Sequence, residues 1–212
     1  MYVDLRSTIG QAIYMKGEFD PRVFDPLASR LKPGGVFLDV GANVGYYSMR
    51  ALDLVGESGA VHAFEIDPHP LRCLRKTIEK DQLKNLLLHE QAVGDRNGFA
   101  FLVKCDDCGH SSVATDGDGA SVPMITLDAW RESHPGGKVQ AVKLDIEGGE
   151  LRALQGAVNL LSRERPLVVC EVIRDRNDRR HNDADELFGL LRAAGYRWRW
   201  LEGCNDATLA AE

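Results

Sequence analysis

Acidic residues that follow short apolar runs are the clearest sign of chemistry in this sequence. The apolar run at 36–40 leads into a turn with two glycines, Gly41 and Gly45, and Glu65 ends the next apolar run, 24 residues after Gly41. In an open α/β sheet, such a turn brings helix N–H groups to a ligand. An acid at the end of the second strand accepts hydrogen bonds from ribose hydroxyls. The spacing therefore predicts a ligand that contains a nucleoside, although a purely structural turn and a helix-capping acid are the alternatives.

A second group of charges lies further along the chain. Lys143, Asp145 and Glu147 share one face of a predicted strand, and Glu171 ends the strand after it. Because an unpaired charge in a buried strand is costly, Lys143 is expected to pair with a carboxylate. Adjacent parallel strands would place Glu171 beside Asp145, where the pair could hold a divalent cation, share a proton or act as a base. These four residues are the candidate catalytic groups, and a structural ion pair is the alternative.

The glycine turn departs from the fingerprint of dinucleotide-binding proteins. Asn43 and Tyr46 occupy the second and third glycine positions of G-x-G-x-x-G. The sequence also has no Tyr-x-x-x-Lys pair for hydride chemistry. Two function classes nevertheless stay open at this point, an NAD(P)-dependent oxidoreductase and a non-catalytic nucleoside-binding module.

The elements that must position these residues alternate between strands and helices. Apolar runs predict strands at 36–40, 61–66, 86–93, 122–126, 139–146, 167–172 and 196–201. Helix signals predict helices at 20–31, from the glycine turn to about 55, and at 68–81, 127–132, 149–161 and 183–195. This alternation is typical of an α/β, mostly parallel, doubly wound sheet with helices on both faces. We expect an N-terminal helical extension over 1–35, a possible lid, and one compact domain over 36–212.

Composition narrows the function class. The chain has 212 residues, 44% of them hydrophobic, and a formal net charge of −6. The apolar content is too high for a disordered chain, and no apolar run is long enough for a membrane span. The negative charge argues against a nucleic-acid partner. Five cysteines, with no apolar leader at the N-terminus, predict reduced thiols and a cytoplasmic protein. Nothing in the sequence predicts the oligomeric state.

Three polar segments carry weaker signals. Cys105 and Cys108, with His110, resemble half of a zinc site that lacks a second pair. Asp116 and Asp118 resemble the start of a calcium loop that lacks its later ligands. We therefore expect ordinary loops there and no resident metal. The arginine-rich segment 174–181 could bind an acidic acceptor, or it could be a solvated loop.

Taken together, the motifs resemble the FkbM-type methyltransferases over roughly residues 10 to 200. This resemblance implies a Rossmann-like class I methyltransferase fold, S-adenosyl-L-methionine as cofactor, and O-methylation of a hydroxyl-bearing small molecule, sugar or natural product. It rests on Gly17-Glu18-Phe19-Asp20, Phe37-Leu38-Asp39-Val40-Gly41-Ala42-Asn43-Val44-Gly45-Tyr46-Tyr47-Ser48, Ala63-Phe64-Glu65, Thr126-Leu127-Asp128, Lys143-Leu144-Asp145-Ile146-Glu147-Gly148-Gly149-Glu150, Leu154-Gln155-Gly156-Ala157 and Val169-Cys170-Glu171.

The resemblance also implies a role for each part of the site. The glycine turn would face the methionine part of the cofactor, and Asp145 would border its sulfonium end and the acceptor entrance. The C-terminal end departs from the pattern, because the second strand of the closing hairpin, after 196–201, is either short or missing. The implied cofactor-binding residues are Asp39, Gly41, Ala42, Asn43, Gly45 and Tyr46 at the turn, Glu65 and Ile66 at the ribose, Gln91 and Ala92 at the adenine, and Asp145.

Overall fold

The computed structural model describes the backbone of residues 1–104, 111–114, 119–172, 182–204 and 207–212. The possible zinc half-site, the incomplete calcium loop and the arginine-rich segment 174–181 all fall, wholly or largely, outside these residues. The helices are α1 (Thr8–Lys16), α2 (Pro21–Arg30), α3 (Tyr46–Val55), α4 (Pro68–Asp81), α5 (Leu127–Ser133), α6 (Glu150–Gln155), α7 (Val158–Glu164) and α8 (Asn182–Ala193). The strands are β1 (Val36–Val40), β2 (Ala60–Phe64), β3 (Leu86–His89), β4 (Ala92–Val93), β5 (Gly98–Lys104), β6 (Ser111–Ala114), β7 (Ser121–Ile125), β8 (Val139–Leu144), β9 (Leu167–Glu171), β10 (Trp198–Trp200) and β11 (Thr208–Ala211).

Seven strands form the main sheet in the order β10-β11-β9-β8-β1-β2-β3. The strands from β9 to β3 run parallel, whereas β11 is antiparallel to both β9 and β10. The predicted mostly parallel α/β sheet is therefore confirmed. The chain proceeds from β1 toward β3 on one side and returns to place β8 on the other side of β1. Strand order thus reverses at β1, where ligands of such sheets bind beyond the carboxyl ends.

Two apolar cores cover the two faces of this sheet. Leu38 and Val40 of β1 pack into the core beneath α5 to α8, and Phe37 packs into the core beneath α2, α3 and α4. Alternate side chains of a strand point to opposite faces, so a five-residue strand that is buried throughout needs helices on both sides. This is the doubly wound arrangement that the alternation of elements predicts.

Two predicted elements are each divided in the structure. The predicted strand 86–93 ends at His89, and β4 pairs instead with β7 in a second sheet of order β4-β7-β5-β6. The predicted helix 149–161 breaks at Gly156, where a Cβ would overlap the Gly94 carbonyl oxygen. The Gly156 carbonyl also accepts a hydrogen bond from Asp128 N across 2.9 Å. In both places, a contact distant in sequence overrides a continuous local apolar pattern.

The C-terminal hairpin has both of its strands in the structure, β10 and β11, which pair antiparallel. Strand β11 lies between β10 and β9, and all four of its residues are buried. The second strand of the hairpin is therefore present but short. Sequence analysis does not identify this strand because Leu209, Ala210 and Ala211 form only a brief apolar run.

None of the helices in the described part of the chain combines the length and the apolar character that a bilayer crossing requires.

Candidate active site

A cleft of about 420 Å³ opens beyond the carboxyl ends of β1, β2 and β8. Its volume falls in the range of roughly 300–1,000 Å³ that is usual for small-molecule sites. Most of the residues that the sequence predicts for the cofactor line this cleft, so the topology brings separate motifs together. They are Gly41, Ala42, Asn43, Tyr46, Glu65, Ile66, Gln91, Ala92 and Asp145, and the candidate catalytic residues Lys143 and Glu147 line the cleft as well.

Three predicted site residues lie outside the wall of the cleft. Asp39 is fully buried beneath the turn, and Gly45 packs against Leu74 of α4. Glu171 lines a smaller cavity of about 30 Å³, which shares Asp145 with the main cleft. Asp39 and Gly45 therefore lie behind the wall of the cleft. Glu171 lies beside the cleft, at the end of β9.

The turn after β1 is held close to the end of β8. Gly41 has a φ of 79°, and a Cβ at this position would overlap the Asp145 carbonyl oxygen. Asp145 N donates a hydrogen bond to Val40 O across 3.1 Å, which fixes the same two segments. Only glycine satisfies both the left-handed backbone and this close approach.

Helix α3 starts at this turn without a side-chain cap. Its N-cap residue is Gly45, with a φ of 84°, and among the described residues no side chain accepts a hydrogen bond from the first helical turn. Free N–H groups at a helix N-terminus attract anionic groups. Val44 and Tyr46 line the cleft on either side of this point. The start of α3 is therefore suited to a ligand carboxylate.

Glu65 joins the ends of β1 and β2 through its carboxylate. One oxygen accepts hydrogen bonds from Ile66 N at 2.8 Å and Asp67 N at 2.7 Å, and the other accepts one from Asn43 N at 2.7 Å. A carboxylate offers about four acceptor positions, so one position on Oε2 remains for a ligand hydroxyl. Burial raises the pKa of Glu65, although these three N–H groups act in the opposite direction.

Lys143 pairs with two carboxylates, as the sequence predicts. Its Nζ lies 3.1 Å from Asp145 Oδ2 and 3.6 Å from Asp39 Oδ1, and it donates to Gly41 O at 3.2 Å. Asp39 also accepts a hydrogen bond from Ser48 Oγ at 2.6 Å. Burial acts to lower the pKa of Lys143, but the neighbouring carboxylates outweigh it and raise the pKa. Lys143 therefore stays charged and is suited to holding Asp145 rather than to accepting a proton.

Three carboxylates gather at the ends of β8 and β9. Leu144 lies opposite Cys170 in the paired strands, which brings the following residues, Asp145 and Glu171, together. Oxygen atoms of Asp145, Glu147 and Glu171 all lie within 4.8 Å of one another. The predicted neighbourhood of Glu171 and Asp145 is thus confirmed. Because 44% of the Asp145 side chain is exposed, it can reach a ligand. Such a cluster can accept a proton from a bound hydroxyl.

Glu150, one turn behind this cluster, was not identified as important from the sequence. It is 5% exposed and accepts a hydrogen bond from Ile146 N across 2.8 Å. Burial raises the pKa of Glu150 to about 7. The side chain thereby holds the loop between β8 and α6, on which Glu147 adopts a φ of 57°.

The N-terminal segment, for which the sequence predicts a possible lid over 1–35, contributes a further wall of the cleft, although the residues that form it are not predicted. Asp4, Arg6 and Ser7 are among the residues that line it. Asp4 Oδ2 lies 2.7 Å from His69 Nε2 at the start of α4, and Arg6 pairs with the same carboxylate at 2.8 Å. Ser7 accepts a hydrogen bond from Gly10 N at 3.0 Å and caps α1. The Ser7 capping signal is local in the sequence. It predicts where α1 starts, but it does not predict that this start lies at the cleft.

The sequence and the structure were compared with those of known proteins. A family model described as "Methyltransferase FkbM domain" matches residues 39–198. A protein of Sulfolobus acidocaldarius, named as a probable cobalt-precorrin-6B C(15)-methyltransferase (decarboxylating), is 42% identical over 69 residues. That match covers 32% of this chain and 36% of the other protein, so this chain spans little more than a third of the relative's length.

Solved structures share the fold at low sequence identity. A methyltransferase FkbM from Methylobacillus flagellatus matches with a TM-score of 0.59 and 17% identity, over 87% of this chain and 49% of that one. A precorrin-6y C5,15-methyltransferase from Geobacter metallireducens matches with a TM-score of 0.55 and 17% identity, over 90% and 85% of the two chains. The fibrillarin of Aeropyrum pernix, solved with natively bound S-adenosyl-L-methionine, matches with a TM-score of 0.54 and 14% identity, over 95% and 73%.

Proposed function

The chain belongs to the FkbM methyltransferase domain family, and from that premise we propose that it transfers a methyl group from S-adenosyl-L-methionine to a hydroxyl of a small molecule, sugar or natural product. The observation that carries the proposal is the position of Asp145. This carboxylate lines the cofactor-sized cleft, is held by Lys143, and stands within 4.8 Å of two further carboxylates. A nucleoside-binding cleft thereby borders a group that can accept a proton.

The residues of the cleft fit the proposed cofactor. The uncapped start of α3 suits its carboxylate, and the remaining acceptor position of Glu65 suits a ribose hydroxyl. Gln91 and Ala92 also line the cleft, and Ile66 packs against the small apolar cluster that contains Ala92, which suits a flat base. When bound, S-adenosyl-L-methionine supplies an electrophilic methyl group to a nucleophile.

The protein's own contribution is to hold the acceptor and remove its proton. Asp145 accepts a hydrogen bond from the acceptor hydroxyl and then takes the hydroxyl proton. Glu147 and Glu171 lie beside Asp145 in the same carboxylate cluster. Lys143 is a positioning residue, because its raised pKa keeps it charged and its contacts fix the Asp145 carboxylate. Much of the rate enhancement of such a transfer comes from holding the reacting groups in line.

The segment 1–35 acts as a cover of the cleft in this proposal. Its first residues line the cleft, and Tyr2 N donates a hydrogen bond to Thr77 Oγ1 of α4 across 2.8 Å. The N-terminal segment therefore limits the access of water to the site. From the sequence, we expect the acceptor to be recognised by this segment and by the segments 105–122 and 174–181, which fall largely outside the described residues.

The reaction is tested by identifying the atom that is methylated. The chain is incubated with labelled S-adenosyl-L-methionine and separate panels of hydroxylated sugars, phenols and tetrapyrrole precursors, and each product is analysed by mass spectrometry and NMR. A methyl ether that depends on Asp145, shown with Asp145→Asn, supports the proposal. The curated relative's name specifies methylation at carbon, so a new carbon–methyl bond would contradict O-methylation while retaining methyl transfer.

A divalent cation at Asp145 and Glu171 is a second part of the proposal. The clustered carboxylate oxygens are the ligands that Mg²⁺ prefers. Turnover is therefore measured after dialysis against a chelator and after Mg²⁺ is restored. Loss and recovery of turnover would support a cation at this site, and unchanged turnover would show that the carboxylates act without one.

A further inference from the structure

Three histidines meet on the sheet face that lies under α5, behind the wall of the cleft. His62 belongs to β2, His89 ends β3, and His134 directly follows α5. Strand pairing sets His89 opposite Phe64, two residues after His62, so both imidazoles lie on the same face. One ring nitrogen from each histidine lies within 4.8 Å of the other two. From this arrangement we propose a binding site for one divalent transition-metal ion, with Zn²⁺ as the matching ion.

The hydrogen bonds of His134 leave a lone pair for a metal. Its Nδ1 lies 2.9 Å from the Trp130 carbonyl oxygen. Nδ1 also lies 3.0 Å from Ser133 Oγ, which can accept as well. Because a carbonyl oxygen can only accept, the tautomer that satisfies the contact with Trp130 carries its proton on Nδ1 and its lone pair on Nε2. Histidines that bind metals almost always donate their other ring N–H in this way, often to a backbone carbonyl. The backbone at the end of α5 thus prepares this imidazole as a ligand.

His62 and His89 face each other through ring nitrogens. His62 Nδ1 lies 2.9 Å from His89 Nε2, which is one hydrogen bond with one shared proton. A metal ion replaces that bond when the proton moves to the other nitrogen of its own ring, which frees both facing lone pairs without any net loss of a proton. With Zn–N bonds of about 2.0–2.1 Å, nitrogens in a tetrahedral site lie about 3.3 Å apart. Modest side-chain rotations therefore suffice.

Aromatic packing holds the three rings in place. Phe64 stacks on His89 with ring centroids 4.6 Å apart, and Trp130 stacks on His134 at 5.1 Å. Trp130 also meets the His62 ring edge-on at 4.7 Å. Rings that are fixed by packing lose little freedom when they bind an ion.

Trp130 supplies an independent indication of a polar occupant. Its side chain is fully buried, and within the described part of the chain its Nε1 has no hydrogen-bond partner. A buried N–H without a partner costs about 1–3 kcal/mol. A water molecule on an ion held by the adjacent imidazoles would provide an acceptor and also complete a four-ligand shell.

The ligand set decides which ions fit. Imidazole nitrogens suit Zn²⁺, Co²⁺, Ni²⁺ and Cu²⁺, whereas Mg²⁺ and Ca²⁺ require oxygen ligands. None of the three histidines lines the cleft, so the role is structural. The ion ties β2 and β3 to the end of α5, and it does so directly behind Phe64, which forms part of the cleft wall.

The site is tested with the whole chain after a chelator has removed bound metal. Co²⁺ is titrated and the visible absorption of four-coordinate Co²⁺ is recorded, and Zn²⁺ is then added as a competitor. The expected result is one ion per chain with the four-coordinate Co²⁺ spectrum, displaced by Zn²⁺ but not by Mg²⁺, with a higher melting temperature, whatever further ion the carboxylate cluster binds. His89→Ala and His134→Ala are expected to weaken binding by at least about 100-fold.

Two matched variants separate this site from others. His69→Ala removes a histidine of α4, and Glu171→Gln alters the carboxylate cluster; both should retain the Co²⁺ spectrum. Circular dichroism of each variant without metal shows whether it is folded. The proposal is overturned if the unmodified chain binds no ion, or if folded His89→Ala and His134→Ala bind as tightly as the unmodified chain. It is also overturned if Glu171→Gln alone abolishes binding.

Discussion

Lys143 and Asp145 form an ion pair across 3.1 Å in which one partner is buried and the other is open to the cleft. The side chain of Lys143 is 3% exposed, whereas 44% of the Asp145 side chain is exposed. Lys143 lies in β8, and Asp145 directly follows the end of that strand. The buried lysine therefore fixes the position of the Asp145 carboxylate at the site. The buried Asp39 carboxylate also compensates the charge of Lys143.

Replacing Lys143 with Met should destabilise the protein strongly. The change leaves Asp39 buried without its cation, and breaking a buried pair in this way costs about 3–5 kcal/mol. Urea unfolding measures the free energy of unfolding, with exposed Lys138→Met as the matched control. The double variant Lys143→Met/Asp39→Asn should recover part of the loss. A cost below about 1 kcal/mol for Lys143→Met would contradict a buried ion pair.

Two glycines with similar backbone angles should respond differently to alanine. Gly41 and Gly17 have φ values of 79° and 75°, but only at Gly41 would the new Cβ meet another atom, the Asp145 carbonyl oxygen. Gly17→Ala should cost only the left-handed conformation, about 1–2 kcal/mol. Gly41→Ala should cost more and should also abolish cofactor binding. Equal losses of unfolding free energy in the two variants would show that the turn does not need to approach β8.

Glu150 should make stability depend on pH in an identifiable way. Burial raises its pKa from 4.5 to about 7. The folded chain therefore holds a proton that the unfolded chain has released, and this contribution is present below pH 4.5 and is lost as pH rises through 7. Glu150→Gln keeps an acceptor for Ile146 N but cannot ionise.

The measurement is the unfolding free energy of both proteins between pH 4 and pH 8. The variant should gain about 3 kcal/mol relative to the unmodified chain over this interval, at about 1.4 kcal/mol for each pKa unit. Exposed Glu57→Gln serves as the control. A constant difference across the interval would mean that Glu150 titrates alike in the folded and unfolded chains.

The N-terminal cover should slow the release of the cofactor. Asp4 contacts His69 and Arg6 at the cleft wall. Since the contacts are partly exposed, Asp4→Asn should increase the dissociation rate of S-adenosyl-L-methionine only about twofold to fivefold. Stopped-flow displacement measures this rate, and exposed Asp53→Asn is the control. An unchanged rate would indicate that the segment does not restrain the bound cofactor.

The parts of the fold and site that the sequence predicts are those with local periodicity. Strand ends and turn residues have short-range sequence signals. These signals identify Gly41, Glu65 and the predicted strand 139–146, which contains Lys143 and Asp145. Alternation of side chains then predicts that Lys143 and Asp145 share a face. The pairing of Glu171 with Asp145 follows because consecutive strands of a parallel sheet are usually neighbours.

The features that the sequence does not predict depend on distant contacts. The apolar run 86–93 continues past His89, yet β4 leaves for a second sheet because Ala92 packs against Met124. The sequence predicts a possible lid over 1–35, but not the contacts of Asp4 and Arg6 with His69, which join residues more than 60 positions apart. His62, His89 and His134 have no common local pattern, and only the packing of α5 on β2 and β3 brings them together.

Glu65 provides the most direct test of the account, because it links the turn, the second strand and the proposed ribose site. The binding of S-adenosyl-L-methionine is measured by calorimetry for the unmodified chain, for Glu65→Gln and for the exposed control Glu90→Gln, with circular dichroism to show that each is folded. The account predicts binding of one molecule per chain, at least about tenfold weaker for Glu65→Gln and unchanged for Glu90→Gln. Absence of binding to the unmodified chain, or a preference for a nicotinamide dinucleotide, would contradict it.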